Sequence, residues 1–212
     1  MNQITMQHMA ALKIIWENTR MGSKENKRSF DFDTNQVLSA CGRNTEETLK
    51  FLYTNQPTFD AFCLWLSLYP AQDVVIDEND PSLTVAQLNF WHKNGYIVIN
   101  NAISKADSEA TRTAIWNFLE ADPNEPDTWY KQHPAKNGMM LNYVHHPTLD
   151  NNRYSAKIRK IYSELYGHNN IYLQVDKVSY NPNVSEKYRF MESPLHWDVS
   201  IAHPIPEVFQ GL

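Results

Sequence analysis

The chain has 212 residues, of which 42% are hydrophobic and 20% charged, and its formal net charge is −5. This composition is typical of a globular protein with a hydrophobic core, and the length suits one medium-sized domain or a domain with an appendage. The negative charge and the absence of a Lys/Arg run argue against nucleic-acid binding. The sequence shows neither a signal peptide nor an apolar run of membrane-spanning length, so we expect a cytoplasmic protein without membrane contact. Cys41 and Cys63 match no zinc-ligand spacing and are predicted to be buried free thiols.

Residues 1–80 are predicted to form an N-terminal helical region. Apolar residues recur at helical spacing in Gln3–Asn18. Asn44 and Glu47 form a capping-box pattern before the next apolar run. Thr58 is the predicted N-cap of a further helix that is rich in aromatic residues. These aromatic side chains recur every three or four residues, which favours core packing over a cofactor site.

The second predicted domain, residues 81–212, opens with a helix, a glycine, a strand and a further helix. Thr84 and Gln87 form another capping-box pattern, and Gly95 is suited to end the helix that follows them. The β-branched and aromatic residues of Tyr96–Ile99 then predict a buried strand.

A half-buried strand is predicted for Asn170–Tyr180, where apolar and polar residues alternate. On such a strand Gln174, Asp176, Val178 and Tyr180 share one face. That face is either the polar wall of a pocket or an ordinary solvent-facing side, and the alternation alone leaves both interpretations open.

A possible metal site is indicated by the Ser193–Asp198 stretch. On an extended strand His196 and Asp198 point to the same face, while Trp197 points away. An imidazole and a carboxylate are two of the three ligands in the facial triad that binds non-haem Fe(II). A polar strand end is the alternative interpretation. A zinc hydrolase is a weaker one, because further histidines at close spacing are missing.

Three segments resemble the phytanoyl-CoA dioxygenase family. Leu83–Leu119 resembles the N-terminal signature of that family. Asn181-Pro182, a short loop and then Pro194–Asp198 are similar to its iron motif, and Phe209–Leu212 looks like the start of the strand that follows the motif. The resemblance covers Leu83–Leu212, with the segments in the order found in the family.

The resemblance implies an α+β protein with a double-stranded β-helix, or jelly roll. It implies an Fe(II)- and 2-oxoglutarate-dependent dioxygenase that hydroxylates a small-molecule or acyl-type substrate, with ascorbate as an optional reductant. His196 and Asp198 are implied as metal ligands, and Val178 as a residue that lies against 2-oxoglutarate. A carboxylate at Asp198 favours hydroxylation, because the related halogenases have a small residue there.

In that family a second ligand histidine and a 2-oxoglutarate-binding arginine follow the motif. His203 is the one histidine between Asp198 and Leu212, and its odd offset places it on the other face of a continuous strand. We therefore expect a jelly roll that is incomplete at its C-terminus and a chain that is inactive alone. The alternative is a non-catalytic fragment or pseudoenzyme that binds a partner, or a second copy, through an open sheet edge.

Overall fold

The structure is a computed structural model of the chain. It describes residues 6–20, 32–69, 72, 74–76, 82–184 and 207–211. The chain divides into two compact units. Unit 1 comprises Met1–Ala102 and Asp150–Asp176, and unit 2 comprises Ile103–Leu149 and Lys177–Leu212.

Helices account for most of the regular structure in the described residues. The α-helices are α1 (Met6–Arg20), α2 (Phe32–Ala40), α3 (Thr45–Asn55), α4 (Phe59–Leu66), α5 (Val85–Asn94), α6 (Lys105–Phe118), α7 (Pro147–Arg153) and α8 (Ala156–Tyr166). The strands are β1 (Lys136–Asn137), β2 (Met140–Leu141) and β3 (Val178–Ser179), and a 3₁₀ turn lies at Pro126–Thr128.

The predicted helix caps are present in unit 1. The Asn44 side chain accepts a hydrogen bond from the Glu47 amide, and the Glu47 carboxylate accepts one from the Asn44 amide, both at 2.9 Å. Thr84 and Gln87 make the same reciprocal pair at the start of α5. Gly95 ends α5 with a φ of 75°, a left-handed conformation that favours glycine. The local sequence therefore sets these helix ends, as predicted.

Helices α1 to α4 share a hydrophobic core. Its buried members are Leu12, Ile15, Val37, Leu38, Cys41, Leu52, Phe62 and Leu66. The rings of Phe51 and Trp65 stack with centroids 4.3 Å apart. Arg43 lies against this core with its guanidinium 3.9 Å from the Trp65 ring centroid, and it donates a hydrogen bond of 2.7 Å to the Trp65 carbonyl oxygen. Burial of apolar side chains, each contributing about 2 kcal/mol, stabilises this set of helices.

A carboxylate on α8 holds the chain entering α5. Glu164 Oε1 accepts a hydrogen bond from the Ser82 amide, and Oε2 accepts one from the Leu83 amide, both at 2.8 Å. Leu83 is buried. Since backbone donors that lack partners are costly when buried, the two bonds fix this entry to α8.

The predicted buried strand Tyr96–Ile99 is wrong. These residues follow α5 but form no strand, and Tyr96 and Val98 are exposed. Residues of high β-propensity stabilise a strand through their neighbours in a sheet. No paired strand lies beside this stretch within the described residues, so the propensity alone does not produce one.

Unit 2 contains a three-stranded antiparallel sheet in the order β1-β2-β3. Strands β1 and β2 form a hairpin in which Gly138 occupies the first position of the two-residue loop with a φ of 60°. A positive φ at the first loop position but not at the second, Met139, is the type II′ pattern, which glycine adopts without strain. A second hydrophobic cluster, with Leu119, Leu141 and Tyr180 buried, packs along this sheet and the end of α6.

The described residues thus combine helices with one small antiparallel sheet. The jelly roll and the division into residues 1–80 and 81–212 stay predictions, because residues 77–81 and 185–206 lie outside the described part of the chain. Within that part, no helix is both long enough and apolar enough to cross a membrane.

Candidate functional site

The predicted metal ligands His196 and Asp198 lie outside the described residues, as does His203. Val178, the residue that the resemblance places against 2-oxoglutarate, is described and lies on β3. The surroundings of Val178 are therefore the part of the predicted site whose geometry is known.

Val178 belongs to a row of three side chains across the sheet. Lys136 on β1 pairs with Leu141 on β2, and Leu141 pairs with Val178 on β3. Directly opposite residues of antiparallel strands point to the same face, with neighbouring strands about 4.8 Å apart. The register thus puts a lysine ammonium, an apolar side chain and the predicted co-substrate residue on one face.

The wall around Val178 is apolar. Val178 packs against the cluster formed by Leu119, Leu141 and Tyr180. Leu141 is fully buried, and Tyr180 is 8% exposed. Such a wall excludes water and strengthens electrostatic attraction to any charge held beside it.

Lys136 and Tyr180 are in contact. The Lys136 ammonium lies 5.3 Å from the Tyr180 ring centroid, within the range of a cation–π interaction. Burial raises the pKa of Tyr180 to about 12, and nearby Tyr130 adds to the rise. A phenol is neutral at pH 7 even at its ordinary pKa of about 10, and the rise keeps it neutral at higher pH as well. Its hydroxyl donates a hydrogen bond of 3.4 Å to the Trp129 carbonyl oxygen.

Two tryptophans extend the aromatic wall. The Trp116 ring meets the Tyr180 ring edge-on, with centroids 5.5 Å apart and an interplanar angle of 87°. Trp116 also packs against Trp129 at 5.8 Å. Contacts on several sides fix the Tyr180 ring, and this in turn gives the Lys136 ammonium a defined place.

The predicted shared face of Gln174, Asp176, Val178 and Tyr180 does not form. Only Val178–Ser179 is a strand, and residues 170–177 lack regular structure. Gln174 and Asp176 are exposed, whereas Val178 is half-buried and Tyr180 is buried. The alternation of exposure changes phase at Lys177, so Gln174 and Asp176 follow the solvent-facing interpretation.

Two of the described histidines of unit 2 accept hydrogen bonds within local turns. His146 Nδ1 accepts a hydrogen bond of 3.3 Å from the Thr148 amide. His133 Nδ1 accepts one of 3.2 Å from the Ala135 amide. Among the residues with a described placement, no group of three or more His, Cys, Asp and Glu side chains is arranged to hold a metal ion.

Lys136 and Trp116 were not singled out as site residues from the sequence. The Asn137-Gly138 pair is a hairpin signal, and it precedes the apolar residues of β2. That signal could have placed Lys136 on a strand, but the pairing of β2 with β3 joins residues far apart in the chain.

No family model, curated protein or solved structure matches this chain.

Proposed function

We propose that this chain is an Fe(II)- and 2-oxoglutarate-dependent dioxygenase of the phytanoyl-CoA dioxygenase type, built on a jelly roll, that hydroxylates a small-molecule or acyl-type substrate. His196 and Asp198 are its metal ligands, and Val178 lies against the co-substrate. The observation that carries the proposal is the row that joins Val178 to Lys136 through Leu141. It supplies a cation beside the position that the resemblance assigns to a dicarboxylate.

The donor set fits the proposed groups. Imidazole nitrogen and carboxylate oxygen are ligands that Fe(II) accepts in facial-triad sites, so His196 and Asp198 suit this metal. 2-Oxoglutarate carries two carboxylates, and an ammonium held beside an apolar wall attracts a carboxylate more strongly than one in bulk water does. Lys136 is such an ammonium.

Bound Fe(II) supplies O₂ activation, while 2-oxoglutarate is the co-substrate that is oxidised to succinate and CO₂. The residues of the chain bind, orient and shield these groups. His196 and Asp198 would hold the metal, Lys136 would bind a carboxylate of 2-oxoglutarate, and Val178 would pack against its carbon chain. Tyr180, whose phenol is neutral at pH 7, positions Lys136 without adding a negative charge.

Metal binding tests the proposal directly. We expect Fe(II), or Mn(II) as its redox-stable substitute, to bind the anaerobic protein in a calorimetric titration, and His196→Ala to abolish the binding. His92→Ala is the matched control, because His92 is exposed on α5 and is expected to have no role in binding. Equal metal binding by His196→Ala and the unchanged protein would refute the assignment of the ligand.

Co-substrate binding is the second arm of this test. With Mn(II) present, we expect Lys136→Met to weaken 2-oxoglutarate binding by about tenfold, because the variant loses one charge-assisted hydrogen bond to the co-substrate. Lys131→Met is the control, since Lys131 is an exposed lysine of the same unit. If Lys136→Met leaves the affinity for 2-oxoglutarate unchanged, Lys136 does not bind the co-substrate. That result would not bear on the metal ligands, which the calorimetric titration tests separately.

A second candidate function is non-catalytic binding of a partner through an open strand edge. The observation that favours it is the Tyr96–Ile99 stretch, in which the Tyr96 and Val98 side chains are exposed and whose backbone pairs with no described strand. This candidate does not involve His196, Asp198 or Lys136. A chain that binds neither metal nor 2-oxoglutarate but captures a strand would support it over the dioxygenase.

A further inference from the structure

The tripeptide Lys-Asn-Gly occurs twice in this chain, once in each unit. It is found as Lys93-Asn94-Gly95 at the end of α5 and as Lys136-Asn137-Gly138 in the β1–β2 hairpin. An asparagine followed by glycine is especially prone to deamidation, because glycine has no side chain to hinder attack by its amide nitrogen on the asparagine side chain. The two tripeptides are identical, so a large difference in their reactivity has to come from the fold.

In α5 both reacting groups of the Asn94-Gly95 pair are held by hydrogen bonds. The Asn94 side-chain amide donates a hydrogen bond of 2.8 Å to the Phe90 carbonyl oxygen. The Gly95 amide, which would supply the attacking nitrogen, donates one of 2.8 Å to the Trp91 carbonyl oxygen. Both hydrogen bonds have to open before the nitrogen can attack, so the end of the helix protects this pair.

In the hairpin the corresponding groups of the Asn137-Gly138 pair are not held. Within the described residues, neither the Asn137 side chain nor the Gly138 amide makes a hydrogen bond. Asn137 pairs with Met140 through its backbone, whereas Gly138 lies in the two-residue loop outside the strand ladder. Both residues are exposed, as Asn94 and Gly95 are, so exposure does not distinguish the two pairs.

We propose that Asn137 is a site of spontaneous deamidation in the folded chain and that Asn94 is protected from it. The Gly138 amide nitrogen attacks Cγ of Asn137, so that an N–Cγ bond forms, the Cγ–Nδ2 bond breaks, and ammonia leaves with the amide proton. Water then opens the cyclic imide at one of its two carbonyl carbons. Opening at Cγ gives aspartate, and opening at the main-chain carbonyl gives isoaspartate, in which the chain runs through the side chain.

Both products change the strand that carries Lys136. Each places a carboxylate on the residue after Lys136, and isoaspartate adds one atom to the backbone of β1. The hairpin register pairs Asn137 with Met140, so the added atom disturbs the pairing from that point. Because this register places the Lys136 ammonium beside the Tyr180 ring, deamidation acts on that contact as well. The proposal uses neither the metal ligands nor the co-substrate and is independent of the proposed function.

The presence of both asparagines in one molecule provides the test. The folded chain is incubated in mildly alkaline buffer, and peptide mapping by mass spectrometry follows deamidation at Asn94 and Asn137 over the same time course. We expect Asn137 to react faster by about tenfold or more, because two hydrogen bonds have to open only in the Asn94 pair. Chromatographic separation of the peptides distinguishes isoaspartate from aspartate.

The unfolded chain is the control for the local sequence. In urea the hydrogen bonds of α5 are lost, so Asn94 and Asn137 should deamidate at similar rates. Asn137→Gln is the matched variant, because glutamine has to close a larger ring and reacts far more slowly. In this variant the fast deamidation should disappear while the slow reaction of Asn94 is unchanged.

Asn137→Asp tests the effect on the hairpin, because it has the carboxylate of the product but an ordinary backbone. We expect the amides of β1 and β2 to exchange faster in the isoaspartate form of the chain than in Asn137→Asp. Equal exchange in the two proteins would show that the added backbone atom does not disturb the register.

Two outcomes would overturn the deamidation site. One is equal deamidation of Asn94 and Asn137 in the folded chain, which would mean that the hydrogen bonds of α5 do not protect Asn94. The other is a folded chain in which Asn137 stays intact while both asparagines react in urea, which would mean that the hairpin itself prevents the attack by Gly138.

Discussion

Cys41 is a buried thiol whose ionisation state affects the stability of unit 1. It is 5% exposed, and burial raises its pKa to about 11, with Cys63 adding to the rise and Arg43 opposing it. The pKa in the folded chain therefore lies above the ordinary value of 9.0. Between these two values the unfolded chain loses a proton that the folded chain retains, so raising the pH favours unfolding.

We predict that the free energy of unfolding falls by about 2 kcal/mol as the pH rises through this window, and that Cys41→Ala removes this part of the fall. Urea unfolding at several pH values would measure the difference between the two profiles. Cys63→Ala is the control and should keep most of the fall, because burial of Cys41 is the larger cause. Parallel profiles for the unchanged chain and Cys41→Ala would contradict the prediction.

Single residues were predictable where their surroundings come from nearby sequence. Cys41 was predicted to be a buried free thiol, and this is confirmed; Cys63 is half-buried. The position of Lys136 over the Tyr180 ring was not predictable, because it depends on the pairing of β2 with β3. A single sequence contains turn and cap signals but no direct sign of which distant strands meet.

At the scale of elements, side-chain caps decide where helices begin, and these are local signals. Ser104 accepts a hydrogen bond from the Asp107 amide at the start of α6, as a serine at an N-cap position commonly does. Helix α8 ends at Gly167 in a left-handed conformation, the usual place of a glycine at a helix end. Helices α2 and α7 were not predicted, since their short sequences lack a clear periodic pattern.

The link between α8 and the entry to α5 is a tertiary contact that the helix pattern does not reveal. We predict that Glu164→Ala lowers the free energy of unfolding by about 2 kcal/mol, because the Ser82 and Leu83 amides lose a charged acceptor. Glu164→Gln should cost about half as much, since a side-chain amide offers one acceptor oxygen in place of two. Urea unfolding monitored by circular dichroism would measure both.

Glu109→Ala is the control for this prediction. Glu109 pairs with Arg112 at 2.6 Å, but both side chains are about half exposed or more. Surface ion pairs contribute little to stability, so the change should stay within about 0.5 kcal/mol. Equal effects of Glu164→Ala and Glu109→Ala would show that the two backbone hydrogen bonds do not hold the entry to α5.

At the scale of the whole molecule, the proposed jelly roll would provide the neighbouring strand that the Tyr96–Ile99 stretch lacks among the described residues. In a jelly roll most strands have a neighbouring strand on each side. An isolated strand or two-stranded hairpin, by contrast, is unstable in water. The propensity of Tyr96–Ile99 therefore predicts a strand that needs a neighbour to form. Further strands of a jelly roll would supply that neighbour, and so would a strand of a binding partner.

The two units have separate hydrophobic clusters with no residue in common. Leu12 lies in the first cluster and Leu141 in the second, and both side chains are fully buried. Replacing a buried leucine with alanine typically costs about 3 kcal/mol, through lost apolar burial and the cavity that remains. If each cluster stabilises its own unit, each substitution should destabilise that unit alone.

We predict that Leu141→Ala speeds amide exchange in α6 and in the three strands while α1 to α4 keep their protection, and that Leu12→Ala has the reverse effect. Native-state hydrogen exchange with mass spectrometry would measure both, because it assigns the free energy of opening to each segment. Leu64→Ala is the control, since Leu64 is 67% exposed and its loss should change exchange by about 0.5 kcal/mol or less. Faster exchange throughout both units in either core variant would mean that the chain unfolds as one cooperative structure, with the two clusters thermodynamically coupled.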